Sequence, residues 1–462
     1  MDIRSAQQDK FTRMTTAPIE ALIWSMAAPS IVIMLIGHLY NMADTYFVGR
    51  LGTSATAGVG VALSLVMLTQ AFGFFFGQGA GNYISRQLGA RDTQAVSHMA
   101  ATAFVSAFLF GLLMMGAGLL ALDRLAFMLG STETILPYAR DYLRFILIAL
   151  PWKTGSLVLN VILRFQGSPG YGMIGMVSGA VIGIGLTPLF IFGFGMGIAG
   201  AGLSTAIGQC IGCIVLLIGC RRGGNIPIQL RDFSPSFYLY REMFRGGFPS
   251  LCKQGFGGVS MIVVNHVAGA YGDAAVAAMT IIYRLALLGS SVIVGVGQGM
   301  QPIIGFNYGA ERFDRVTKAF WFSVKVSTVF LTLLGGLYIF FATQIVAFFQ
   351  NDVYVIEIGM PALRFLSATF PLMGFYMMAG MILQTMGMTF KASLLAAGRN
   401  GIFIIIYVLT LPRFMGILGL QLSQPIADLS SFVLSVPLTM GVLWQMKKAW
   451  DERQVPEVRP AK

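Results

Sequence analysis

Charged positions interrupt this chain rarely, and the intervals between them set its architecture. No Asp, Glu, Lys or Arg falls in 51–85, 93–122, 165–220, 285–310, 326–351 or 365–390. A helix needs about 20 apolar residues to cross a bilayer. Each interval therefore holds at least one crossing, and 165–220 holds two, with a turn at Gly193-Phe194-Gly195-Met196-Gly197. The pattern predicts twelve spans: 19–47, 54–81, 96–121, 139–162, 172–193, 199–220, 247–270, 274–300, 318–343, 358–384, 393–412 and 417–444. The polar stretches 82–95, 163–171, 221–246 and 301–317 read as loops. Within 221–246, the basic, amphipathic run Ser236–Arg245 predicts a short helix lying in the membrane interface. Residues 1–18 and 445–462 read as polar tails, the first without ordered structure.

The halves repeat at an offset of 220. Pro29-Ser30 falls on Pro249-Ser250, Gly52 on Gly272, and Gly77-Gln78-Gly79 on Gly297-Gln298-Gly299. Arg144-Phe145 with Pro151 falls on Arg364-Phe365 with Pro371, and Gly167 falls on Gly387. Each copy has an even number of spans, so both share one orientation, related by an axis along the membrane normal. The expected fold is all-α: twelve transmembrane helices in two pseudo-symmetric six-helix bundles, 19–220 and 247–444, around a central cleft.

Charge fixes the orientation. The net charge is +12, and the basic residues gather in alternate loops, at Arg86/Arg91, Arg164, Arg221 to Arg245, Arg312/Arg315/Lys318, Lys391 and Lys447/Lys448/Arg453. The positive-inside rule accounts for this pattern and puts both termini in the cytoplasm. Nucleic acid is not an expected partner. Composition points the same way: 56% of residues are hydrophobic and 11% charged, too little charge to cover a soluble surface.

Charges inside the spans are candidates for function, because a charge at membrane depth is costly. Asp44 closes the first span, with Asn41 and Tyr40 at i−3 and i−4 on the expected same face. A carboxyl among hydroxyl and amide groups at low dielectric can exchange protons near neutral pH. The plainer alternative is a hydrogen-bonded Asp that fixes helix packing. Asp44 maps onto Val264 in the second half, beside Asn265 and His266; Arg284 maps back to Ser64, and Asp428 close to Gln209. The scaffold is duplicated but its buried charges are not. Arg284 and Asp428 lie about ten and eleven residues into their spans, roughly 15 Å deep, which makes them a candidate pair, static or switching. Lys253, early in the seventh span, either snorkels or contacts substrate.

Enzyme and metal signatures are missing. Three His are scattered, Cys210-x-x-Cys213 sits in an apolar helix and reads as packing, and there is no GxxxxGK[ST] phosphate loop. No cofactor is expected, and energy would come from an ion gradient or from the substrate's own gradient.

Three stretches resemble a known family. Pro29 with Asp44-Thr45-Tyr46-Phe47-Val48-Gly49-Arg50-Leu51-Gly52 is similar to the first helix of the multidrug and toxic compound extrusion (MATE) family. Gly297-Gln298-Gly299-Met300-Gln301-Pro302-Ile303-Ile304-Gly305-Phe306-Asn307-Tyr308-Gly309-Ala310 looks like its eighth-span signature, and Gln424-Pro425-Ile426-Ala427-Asp428 like a twelfth-span element of a bacterial branch. The resemblance implies two six-helix lobes in a bacterial inner membrane. It also implies export of amphipathic, often cationic compounds in exchange for H⁺ or Na⁺, with Asp44 in cation coupling. The acids that some members carry in the fifth, seventh and tenth spans are missing from 172–193, 254–270 and 358–384, which favours H⁺ and leaves Na⁺ open. A monomer contacting only lipid and small molecules is expected. The competing reading is a lipid-linked precursor flippase, which calls for a strongly basic cavity.

Overall fold

The computed structural model describes residues 3–454, and every element among them is helical. The helices are α1 (Ile3–Thr16), α2 (Ile19–Gly49), α3 (Thr53–Gly89), α4 (Thr93–Leu120), α5 (Leu122–Met128), α6 (Leu136–Phe165), α7 (Pro169–Pro188), α8 (Gly197–Cys220), α9 (Phe237–Gly269), α10 (Asp273–Gly309), α11 (Phe313–Phe340), α12 (Ala342–Phe349), α13 (Val353–Thr385), α14 (Thr389–Ala397), α15 (Ile404–Met415) and α16 (Ile417–Gln454). A π turn, Leu189–Gly193, extends α7, and another, Gly398–Phe403, joins α14 to α15 into one crossing. Among the described residues eleven crossings are long and apolar enough to span a membrane. The twelfth is α9, the repeat partner of α2; Lys253, Gln254 and Asn265 dilute its apolar character.

Two compact units divide the chain. Lobe 1 holds the chain up to Met14 and Ala28–Leu251; lobe 2 holds Thr15–Ala27 and the chain from Cys252. The divisions fall inside α2 and α9, within a few residues of the paired prolines Pro29 and Pro249. Residues 455–462, the end of the expected C-terminal tail, lie outside the described residues.

In lobe 1 the organising element is α6, buried without a break from Thr154 to Gln166 and packed against α3, α4 and α8. Thr154 Oγ1 donates to Ala107 O of α4 at 3.0 Å, beside the point where Gly111 meets Pro151. Helices α7 and α8 meet through small residues spaced four apart. A Cβ on Gly179 would stand 2.6 Å from the Gly208 carbonyl, and one on Gly208 would stand 2.6 Å from the Gly179 carbonyl. In lipid, where no hydrophobic force drives helices together, such close backbone approach is what holds them. In lobe 2, α13 takes the place of α6 and packs against α10, α11 and α16.

The repeat extends to backbone detail. Gly52 and Gly272 both precede a long helix in a conformation open to glycine, with φ of 113° and 96°. The short helices α5 and α12 also stand at corresponding places, an element the hydropathy pattern does not register.

Three expectations are corrected. The loops expected at 82–95 and 301–317 are mostly helix, because α3 and α10 run on to Gly89 and Gly309. Helix ends are set by backbone signals, and Arg91 and Glu311 at positive φ supply them. The interfacial helix expected over Ser236–Arg245 is not separate: Phe237 begins α9, which continues unbroken. The N-terminal segment expected to lack order is α1. Its Lys10 Nζ donates to Ser168 Oγ at 2.9 Å and Asn225 Oδ1 at 2.7 Å, Phe11 lies beneath the Arg91 guanidinium, and Met14 is fully buried. Burial, and secondarily the nearby Arg13, lowers the Lys10 ammonium pKa to about 8.

Candidate functional site

Asp44 lies in the last turns of α2, within lobe 1, and is 9% exposed. Tyr142 of α6 donates its hydroxyl to Asp44 Oδ2 at 3.2 Å. The other carboxyl oxygen, Oδ1, is buried with no hydrogen-bond partner. One helical turn away, Tyr40 Oη and Thr205 Oγ1 of α8 are 2.7 Å apart. Thr205 donates to Ala201 O at 3.1 Å, so its oxygen accepts from Tyr40. Three helices, α2, α6 and α8, thus converge on one carboxylate through hydroxyl groups.

Tyr40 also lines a lobe 1 cavity of about 110 Å³, bounded by Ile36, Ser156, Gly179 and Gln209 among others.

Tyr40 and Asp44 come together as the sequence predicts; Asn41 does not join them. Its side chain is exposed, and its carbonyl accepts from Thr45 at 2.8 Å. Positions i−3 and i−4 differ by 100° around a helix, and the face that α2 turns toward α6 and α8 is narrower than that. Tyr142 is the partner sequence reasoning missed. It is one of 15 tyrosines, in another span, with nothing local to single it out.

In lobe 2, Asp428 of α16 is 1% exposed, and its Oδ1 accepts three hydrogen bonds: from Arg399 Nε at 3.0 Å, Gln424 Nε2 at 3.1 Å and Tyr376 Oη at 3.2 Å. The Arg399 guanidinium lies 5.2 Å from the centre of the Tyr376 ring. Arg399 belongs to the π turn Gly398–Phe403. A π turn adds a residue to the helical circuit, and such turns are frequent at functional sites. Here it re-aims one cation at Asp428. Asn400 holds the turn: its Oδ1 accepts from Arg399 at 3.3 Å, and its carbonyl accepts from Ser260 of α9.

This corrects the expected pairing of Arg284 with Asp428. Arg284 is exposed on α10, and Arg399 takes the partnership. Sequence reasoning did not single out Arg399, which lies only about six residues inside a span placed at 393–412. The helix begins at Thr389, so Arg399 is deeper. Lys253 is exposed and makes no hydrogen bond or ion pair among the described residues, and Asn265 is half-buried.

Fold and site together define a polytopic membrane protein of two duplicated six-helix halves, each with one buried, hydrogen-bonded carboxylate among the described residues. The MatE family model matches residues 29–189 and again 249–409, two segments offset by the same 220 residues as the internal repeat, and the chain belongs to the MatE family. It is 26% identical over 416 residues to the multidrug export protein MepA of Staphylococcus aureus (strain NCTC 8325 / PS 47), covering 89% of this chain and 91% of that one. It is 27% identical over 402 residues to the protein of the same name from Staphylococcus haemolyticus (strain JCSC1435), covering 87% and 88%. Among solved structures, it is similar to a MATE transporter in a bent conformation, with a TM-score of 0.89 at 25% identity over 95% of this chain and 98% of that one. An outward-facing multidrug resistance MATE family transporter of the MOP superfamily gives 0.86 at 25% identity over 94% and 99%.

Proposed function

We propose that this protein exports amphipathic, often cationic compounds across a bacterial inner membrane by alternating access, in exchange for protons taken up at Asp44, and works as a monomer with both termini in the cytoplasm. Family membership and the similarity to the MepA multidrug export proteins support export. The observation that carries proton coupling is the asymmetry of the Asp44 carboxyl: Oδ2 accepts from Tyr142, and Oδ1, buried, accepts from nothing. A buried acceptor without a donor is costly, and a proton relieves that cost. It also turns Oδ1 into a donor, so protonated Asp44 seeks a partner that the present arrangement of α2, α6 and α8 does not give. That change of bonding is the force on α2, whose backbone is already loosened at Pro29, where a helical hydrogen bond is missing.

A lone carboxylate among hydroxyls accepts a proton without further partners, whereas Na⁺ needs a shell of oxygens around it; this favours H⁺. The test is ethidium efflux from loaded proteoliposomes under an imposed pH gradient. Full efflux in Na⁺-free buffer is expected. Efflux that needs Na⁺ and ignores the pH gradient would move the coupling ion away from H⁺.

The flippase reading draws on lobe 2, where Arg399 and Lys253 are close enough for their charges to repel. It is the weaker one, because Asp428 already offsets one of these two cations.

A further inference from the structure

Helix α9 begins with about two and a half turns, residues 237–245, that are rich in arginine and aromatic side chains. The segment belongs to lobe 1 and packs backbone to backbone on α3: a Cβ on Gly79 would run into the Met243 carbonyl, and one on Gly247 into the Phe75 carbonyl. That contact fixes which way the segment faces. Clear of it, Phe237, Arg241, Phe244 and Arg245 are exposed. With Phe248 they stand at i, i+4, i+7, i+8 and i+11, on one face of the helix.

The charges on this face do not balance. Glu242 is the segment's one carboxylate, and both its oxygens are taken. Oε2 accepts from Arg86 Nη2 of α3 at 3.2 Å, and Oε1 accepts from Arg245 Nη1 at 2.8 Å. Arg241 makes no hydrogen bond or ion pair among the described residues, and the Arg245 side chain is 47% exposed. Three guanidiniums thus face one carboxylate. Like charges at i and i+4 repel, and an anion held between Arg241 and Arg245 relieves that repulsion.

The level along the helix is that of lipid headgroups. Arg86 is the first charge after the uncharged run 51–85, and Arg245 is the last before the uncharged stretch 246–252, so both helices leave the apolar layer at this point. Next to the guanidiniums on the membrane side, the Phe244 ring stacks on Phe248 with centres 4.9 Å apart and lies 6.0 Å from Phe75. The basic surface therefore continues into an aromatic one. The repeat separates the two. At the offset of 220, Phe244 falls on Trp24, also exposed, and both copies carry the aromatic anchor expected at a membrane interface. Arg241, Glu242 and Arg245 fall on Ala21, Leu22 and Ser25, and Arg86 falls on Phe306. Insertion of the helix does not need the arginines.

We propose that Arg241 and Arg245 bind the phosphate of one anionic phospholipid such as phosphatidylglycerol, with an acyl chain laid along Phe244 and Phe248. The lipid comes from the leaflet at this end of α9, the cytoplasmic one in the orientation proposed above. A phosphodiester offers two unesterified oxygens, one to each guanidinium. A soluble phosphate would make no use of the aromatic surface beside the arginines, and a zwitterionic lipid brings a cation that Arg241 repels.

The test is native mass spectrometry of the full chain, released from detergent micelles and titrated with phosphatidylglycerol, phosphatidylcholine or glycerol 1-phosphate. One basic residue at a membrane surface is worth about fivefold in affinity, so two should make wild type hold its first phosphatidylglycerol about 25-fold more tightly than its first phosphatidylcholine. Arg241→Gln should cut that preference about fivefold, and Arg241→Lys should keep most of it. Phe244→Ala, which leaves every charge in place, should weaken both lipids alike. Equal affinities in wild type, or a preference unmoved by Arg241→Gln, would overturn the site. A fall as large in Arg413→Gln, an exposed arginine outside this segment, would replace it with a diffuse charge effect. Glycerol 1-phosphate held as tightly as phosphatidylglycerol would assign the guanidiniums to a soluble phosphate and overturn it as well. No gradient or exported compound is involved, so each of these results leaves the export reading where it stands.

Discussion

Two carboxylates of one duplicated scaffold are held in opposite ways. Asp428 accepts three hydrogen bonds, one from a guanidinium, whereas Asp44 accepts one, from a tyrosine. The first is fixed in place, the second free to change partners. Removing one partner of a buried ion pair leaves the other uncompensated, at a cost of about 3–5 kcal/mol. Asp428→Ala should therefore lower the melting temperature of the detergent-solubilised protein sharply, and the double change Asp428→Leu with Arg399→Leu should recover most of it. A double variant no more stable than Asp428→Ala would show that the pair does more than neutralise its own charges. At Asp44 the informative change is Tyr142→Phe. It takes away the one donor to the carboxyl, and proton-driven efflux should slow roughly tenfold while the protein folds normally. Unchanged efflux would take Tyr142 out of the coupling site. Asp44 was legible in the sequence because an acid in an apolar run stands out whatever surrounds it. Tyr142 and Arg399 were not. A tyrosine among apolar residues looks like packing, and a cation near the assumed edge of a span looks like a snorkelling one. Both gain meaning only when helices distant in sequence are brought together.

At the scale of elements, glycine spacing decides where helices touch. Gly179→Val places a branched side chain against the Gly208 carbonyl and should cost about 1–3 kcal/mol. Gly185→Val, on the same helix with open space beside it, should cost far less. Similar losses from both would mean that the α7–α8 contact is not what holds these helices. Helix α1 offers a pH test. Its docking buries Lys10, whose pKa is about 8 when docked against its ordinary 10.5. The docked state therefore binds fewer protons between those values. Below pH 8 the cost of burying the charge is present in full, and it is relieved as pH rises from 8 to 10.5. Hydrogen exchange of the α1 amides, corrected for intrinsic rate, should show stronger protection at pH 9.5 than at pH 7.5. Weaker protection would mean that the charged contacts to Ser168 and Asn225 outweigh the burial. The sequence missed α1 because its face is mixed rather than apolar, and short docked helices take stability from tertiary contacts more than from pattern.

At the scale of the whole molecule, duplication was the strongest signal available. A constant offset of 220 links Pro29 to Pro249 and Gly52 to Gly272, and the structure extends it to matching φ values and to the pair α5 and α12. Duplication explains the fold. What repeats serves the scaffold, and what fails to repeat is the buried charge, Asp44 in one half and Arg399 and Asp428 in the other. The element ends, the π turns and the pairing of buried charges were not legible, because each depends on contacts between helices that hydropathy does not record. The central claim is that Asp44 is where a proton is exchanged for substrate. The measurement that reaches it most directly is ethidium efflux from proteoliposomes after a pH jump without Na⁺, for wild type and Asp44→Asn reconstituted at equal density. The account predicts rapid efflux for wild type and none above the protein-free leak for Asp44→Asn, with both still binding ethidium. Proton-driven efflux by Asp44→Asn at the wild-type rate would contradict it and reduce Asp44 to a packing residue.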